Sequence, residues 1–133
     1  MNRHEPEYLI IDEHGTASLS HTLPGDGDLL AVDLGEARRR FLGLTRGRDQ
    51  FTATDLATIA GAHYAVIARW VQAGLLVSVG LNRSTGEKIY DLDAAFAVGV
   101  LGALRRRRQS LPVLRSAADL LMRDTRAALA AAN

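Results

Sequence analysis

The chain is expected to fold as a mainly helical α+β protein with a small antiparallel β element at its N-terminus. Three observations point there. Phe51 to Leu76 reads as two short helices around a tight turn, and a polar-tipped hairpin pattern follows it. Beyond the hairpin, Ala94 to Leu104 and the stretch after Ser110 carry helical patterns. Ahead of all this, short apolar runs alternate with turn residues, which is a strand signature.

The N-terminal part predicts three short strands at Tyr8 to Asp12, Ala17 to His21 and Asp28 to Val32. Gly15 belongs to the first turn and Pro24-Gly25-Asp26-Gly27 to the second. Asp33 then caps a helix with Glu36 three residues on, whose apolar face is Ala37, Phe41 and Leu44. The chain divides on this reading into an acidic, β-rich element at 1–44, a linker at 45–50 and a helical module at 51–133.

Thr52 is placed to N-cap the first helix of that module, with Asp55 acting back on the cap. Phe51 and Leu56 form a hydrophobic staple across the same turn. Leu56, Ile59 and Ala60 give the helix one apolar face, and Gly61 supplies the permissive backbone of the turn. A second helix spans about His63 to Ala73. Val66, Ile67 and Trp70 share its buried face, while Tyr64, Ala65, Ala68, Arg69 and Gln72 share the other. Small, aromatic and basic groups opposite a buried face are what a helix needs to enter a DNA major groove. Val77 to Val79 and Lys88 to Tyr90 are the expected strands of a wing, its tip built from Asn82, Ser84, Thr85 and Gly86. Asp91 or Asp93 caps a third helix, and Ser110 a fourth that begins Leu111-Pro112, where an early proline is tolerated.

The capped FTATDLATIAG opening, the helix ending RWVQAGLL, the wing closing in EKIY, and LGALRRRRQSLPVLRSAADLL together resemble the MerR-like winged helix-turn-helix family. A weaker similarity is to phage excisionase modules. The resemblance covers Phe51 to about Leu121 and rests on the order and spacing of all four motifs. Ala68 stands where the family usually carries an arginine, Arg69-Trp70 replaces its usual aromatic pair, and about fifty residues precede the first helix. The resemblance implies a winged helix-turn-helix fold, sequence-specific binding of double-stranded DNA with some distortion of the duplex, and transcriptional regulation as a homodimer. The candidate DNA-binding residues are Thr54, His63, Tyr64, Ala65, Arg69, Arg83 and Lys88.

Charge agrees with that expectation. The net charge is only +1, but Met1 to Glu36 holds one basic against eight acidic residues, a net of −7. From Ala37 onward there are fifteen basic and seven acidic residues, a net of +8. A basic module beside an acidic appendage is the footprint of a nucleic-acid binder. The acidic part also allows a rival reading, a protein-interaction module such as an antitoxin or adaptor with a basic partner. An excisionase-like architectural role is a variant within DNA binding.

Each pointed residue has a plainer alternative. Arg105 to Arg108 can grip a DNA backbone or be a solvated helix end favoured by the macrodipole, and Arg38 to Arg40 carries the same choice. Trp70 aligns with Val66 and Ile67 and reads as core. His4, His14 and His21 lie among carboxylates at spacings that fit no metal signature. With no cysteine, disulfides and thiolate metal sites are excluded. No nucleophile–base pair or phosphate-binding glycine loop stands out, so neither an enzyme nor a cofactor is expected. The first residues are charged, without a secretory pattern, and the longest nonpolar run, Ala94 to Leu104, is too short to span a bilayer. A cytoplasmic protein without membrane contact is expected. That apolar run, with Gly99 and Gly102 in it, and the stripe Leu114, Ala117, Ala118, Leu121, Thr125, Ala128 and Leu129 suit packing on the chain's own sheet or on a second copy.

Overall fold

Strand β1 (Tyr8–Ile11) is the centre of a three-stranded antiparallel sheet, with β2 (Ala17–Ser20) on one side and β3 (Leu30–Asp33) on the other. Leu9 faces Leu19 across one ladder and Val32 across the other. The computed structural model describes residues 7–23 and 30–132, apart from the side chains of Leu42 and Leu44. The turn expected at Pro24 to Gly27, Asp28 and Leu29 ahead of β3, Arg3, His4 and the Leu44 side chain lie outside that description. The β1–β2 turn is fixed by Asp12, whose Oδ1 accepts the amides of His14 and Thr16 at 2.9 Å each, and by Gly15 at φ +79°.

Helix α1 (Leu34–Thr45) follows β3 without a loop, its first turn capped by Asp33, which accepts the Glu36 amide at 3.1 Å. The chain leaves α1 through Arg46 and Gly47, both at positive φ. Helix α2 (Ala53–Ala60) carries the full capping box. The Asp55 amide donates to Thr52 Oγ1 at 3.2 Å, and the Thr52 amide donates to Asp55 Oδ2 at 2.9 Å. Gly61 ends α2 in the left-handed region, φ +65°. Helix α3 (Tyr64–Gln72) starts one residue later than expected, because His63 is its N-cap and accepts the Ala65 amide on Nδ1 at 3.1 Å.

The hairpin is displaced from its expected place. β4 is Gly80–Leu81 rather than Val77 to Val79, and β5 is Lys88–Ile89. The residues after α3 are used as an anchor instead. Leu75 and Leu76 are buried, and the Leu75 amide donates back to the Trp70 carbonyl. Pairing begins where the Val79 amide reaches the Ile89 carbonyl at 2.8 Å, and it ends at Asn82 and Glu87. Tyr90, expected inside the strand, bridges Phe51 through two backbone hydrogen bonds, which ties the hairpin to the start of α2.

Helix α4 (Leu92–Arg106), capped by Asp91, is the axis of the fold. Ala94, Ala95, Ala97, Val98, Val100, Leu101 and Leu104 are all inaccessible to solvent, and α1, α2 and α5 (Leu111–Leu121) pack around them. Its apolar run is therefore satisfied within one chain. The close approach that glycine permits is made by α2, where Gly102 meets Ala60. Ser110 occupies the N-cap of α5 but makes no side-chain cap bond.

The long stripe read for the fourth helix is broken. The helix stops at Leu121, buried Met122 turns the chain, and α6 (Arg123–Ala132) runs separately. Thr125 and Arg126 hold α6 back against the core: Thr125 Oγ1 lies 2.8 Å from Asp91 Oδ2 and 2.9 Å from Asp93 Oδ2, and Arg126 reaches the Gly74 carbonyl at 2.6 Å. Of the expected stripe, Leu114, Ala117, Ala118 and Thr125 are buried, whereas Ala128 is exposed. One hydrophobic core joins both ends of the chain. Leu9, Ile11, Ala17, Leu34 and Phe41 belong to the same cluster as Trp70, α4 and α5, and the Ala17 amide donates to Ser116 Oγ on α5 at 2.8 Å.

Candidate nucleic-acid interface

Helix α3 is held from behind and from both ends. Val66, Ile67 and Trp70 are buried, and His63 caps its first turn. At its far end Arg115 of α5 donates to the Ala73 carbonyl and Arg126 of α6 to the Gly74 carbonyl. A third guanidinium, Arg106 of α4, donates to the Ala60 carbonyl that ends α2, at 2.9 Å. Carbonyls left open at a helix C-terminus attract cations, and here the C-terminal helices supply them.

The outer face of α3 is left to solvent. Tyr64 is 55% exposed, and Ala65, Arg69 and Gln72 are exposed too. A groove of about 390 Å³ runs between this face, the N-terminal turn of α2 and the hairpin. Thr54, Tyr64, Ala68, Gln72, Lys88 and Tyr90 are among the residues that line it. Burial pushes the Tyr90 hydroxyl above the usual phenol range, and neighbouring Tyr64 adds to the shift. The hairpin tip is pre-formed, since Asn82 Oδ1 accepts the amides of Ser84 and Thr85 and Gly86 turns at φ +75°.

Of the candidate residues, the groove brings together Thr54, Tyr64 and Lys88. Arg69 and Ala65 lie on the same exposed face of α3 but do not line the groove, and Arg83 stands on the exposed tip. The exposed His63 ring caps the helix through Nδ1. Ala68 and Gln72, which the helical period already puts beside Tyr64, join the lining, as do Val71 and Glu87. The side chains of Arg69, Gln72, Arg83 and Lys88 have no partner among the described residues.

The basic runs divide. All four of Arg105 to Arg108 are exposed, but the Arg106 side chain lies beside Gly61 and bonds the Ala60 carbonyl, while those of Arg105, Arg107 and Arg108 have no partner among the described residues. Arg38 stacks over Phe96 and pairs with Glu7, and Arg40 pairs with Glu36. In the linker, Arg48 lies over Phe51 and pairs with Asp55 at 2.7 Å, holding that carboxyl below the usual aspartate range. None of the described acidic residues of the N-terminal part pairs with Arg69, Arg83 or Lys88. Among the described residues no group of three metal-ligating side chains occurs, and no helix is long and apolar enough to cross a membrane.

No protein-family model, curated protein or solved structure matches this chain.

Proposed function

We propose that the chain binds double-stranded DNA in a sequence-dependent way, with α3 in the major groove and the β4–β5 hairpin on the flanking backbone, as a cytoplasmic transcriptional regulator of MerR-like type. The observation that carries this reading is the contrast between the two sides of α3. Its inner face and both ends are fixed by Trp70, His63, Arg115 and Arg126, yet the side chains of Arg69 and Gln72 on its outer face have no partner among the described residues. A rigid helix with free donors is suited to base edges, and mobile cations beside it are suited to phosphates. The folding of the acidic part into the common core favours this over a separate protein-binding arm. A two-fold dimer would pair two such helices with two half-sites.

Selection of bound sequences from a random duplex pool, followed by a salt titration on the selected site, tests the proposal. A recovered consensus and an affinity that falls steeply with salt, by about 0.9 in log–log slope per phosphate contacted, support it. No enrichment together with a flat salt response overturns it.

A further inference from the structure

A second concavity, sharing no residue with the first, opens where the N-terminal part meets the helical core. β3 and α1 form one wall, α4 and the end of α2 the other, and it encloses about 310 Å³. Phe41, Ile59, Val100 and Ala103 make its interior apolar. At Gly99 the wall has room to spare, for a Cβ there would meet Ile59 at an ordinary 3.7 Å.

Five charged residues line the same cleft, three basic and two acidic, and four of them make contacts within the chain. Asp33 accepts the Glu36 amide, Glu36 and Arg40 pair at 3.6 Å, and Arg106 donates to the Ala60 carbonyl. The Arg107 side chain is exposed and has no partner among the described residues. The cleft thus combines apolar side chains with a charged lining, in which the Arg107 guanidinium is the one without a contact among the described residues. Its volume falls at the lower end of the range that takes small molecules. A guanidinium meets a carboxylate through two parallel hydrogen bonds, which fixes the ligand's charged end.

We propose that this cleft binds a small aromatic or branched aliphatic monocarboxylate, its apolar body between Phe41, Ile59 and α4 and its carboxylate on Arg107. The charged lining, three basic groups (Arg40, Arg106 and Arg107) against two acidic ones (Asp33 and Glu36), carries a net of +1, which suits a monoanion. A ligand seated there joins α1 to α4 beside Arg106, which holds the last carbonyl of α2 ahead of the turn into α3. The site thus offers an effector a direct mechanical route to α3.

The test is a titration of the isotope-labelled full chain, followed by amide chemical shifts, with phenylacetate as probe. Phenethyl alcohol serves as the neutral control and phenethylamine as the cationic one. Phenylacetate is expected to give saturable shifts at Gly99, Ala103 and Arg107 with a Kd of about 1 mM or tighter. The alcohol is expected to bind about fivefold or more weakly, and the amine not at all. Arg107→Gln should reduce phenylacetate binding to the level of the alcohol, while Arg83→Gln leaves it unchanged. Ala103→Phe should fill the cleft and abolish binding; should that variant not fold, Arg107→Gln alters only an exposed, unpartnered side chain and still decides the matter. No saturation by about 10 mM, equal response to all three probes, or unchanged affinity in Arg107→Gln would overturn the proposal. None of these readouts depends on DNA.

Discussion

Gly102 of α4 lies against the carbonyl of Ala60, the last residue of α2, so closely that a Cβ at position 102 would overlap the carbonyl oxygen. The same oxygen accepts a hydrogen bond from Arg106, one turn further along α4. The contact thus sets both how near α2 comes to the central helix and how its C-terminus is capped. Gly102→Ala should destabilise the protein by about 1–3 kcal/mol net, even after the ~1 kcal/mol that alanine gains over glycine within a helix. A lowered urea midpoint with unchanged m-value is the expected result. A variant as stable as the parent would mean that the two helices can part here without cost.

Asp55 gives a pH-dependent prediction. Its carboxyl is held below the usual aspartate range by Arg48, with the Thr52 amide adding and burial opposing. A carboxylate with a depressed folded pKa stabilises the fold above its unfolded pKa, and that contribution is lost as pH falls through the folded value. The stability gap between the parent and Asp55→Asn should therefore be widest near neutrality and shrink below about pH 4. Thermal midpoints at pH 7 and pH 3 provide the comparison. A gap that stays constant between them would show that the carboxylate charge contributes nothing here.

The capping box at Thr52 and Asp55, the glycine turn at Gly61 and the buried face of α3 were all legible in the sequence, since each is decided by residues within one or two turns. Tertiary anchoring decided what was not. The hairpin lies three residues downstream of its expected first strand because Leu75 and Leu76 are drawn into the core, which no alternation of Val77 and Val79 reveals. Helix α5 ends at Leu121 without a glycine or proline to mark it. Contacts from Thr125 and Arg126 to residues more than thirty positions away hold α6 in its separate direction. Arg106 is indistinguishable from Arg105, Arg107 and Arg108 by composition, yet among the described residues it alone of the four makes a side-chain bond to the fold, at the Ala60 carbonyl. The groove was partly legible: helical period groups Tyr64 with Ala68 and Gln72, but only the folded hairpin brings Lys88 and Thr54 to the same space.

Arg69 is the basic side chain on the outer face of α3. On the proposed DNA complex, Arg69→Ala should weaken binding to a selected site by about 1–3 kcal/mol and relax preference at one base position. A phosphate contact would instead weaken all sequences alike, so affinities for the selected site and its single-base variants separate the two roles. Unaltered binding by a folded Arg69→Ala protein would remove α3 from the interface as oriented here.

The hairpin carries a separate expectation. Arg83 and Lys88 are exposed and unpartnered among the described residues, so replacing both with alanine should change stability by less than about 0.5 kcal/mol. Loss of both charges should make the salt dependence of DNA binding shallower by up to about two phosphate contacts. An undiminished slope would mean that the hairpin faces away from the duplex.

The N-terminal part allows two opposite outcomes, and the fold distinguishes them. Residues 1–44 hold four basic against eight acidic residues, a net of −4, and the chain from Thr45 holds twelve against seven, a net of +5, which invites the idea of an intramolecular counterion lying over the DNA-binding face. Such a role predicts that a chain beginning at Thr45 stays soluble and binds DNA more tightly at low salt, where screening is weak. The structure argues for the reverse. Leu9, Ile11 and Ala17 are buried in the common core with α5, Phe41 packs its ring on Phe51 and Phe96, and the acidic groups Glu7 and Glu36 pair with Arg38 and Arg40 of α1 rather than with α3. Removing residues 1–44 uncovers α4 and α5, and an apolar surface of that kind promotes association. The shortened chain should therefore be poorly folded or aggregated, with a broadened unfolding transition and a size distribution shifted to large species. A monodisperse fragment with a cooperative transition would show that the sheet is dispensable to the core, and tighter DNA binding by that fragment would restore the counterion.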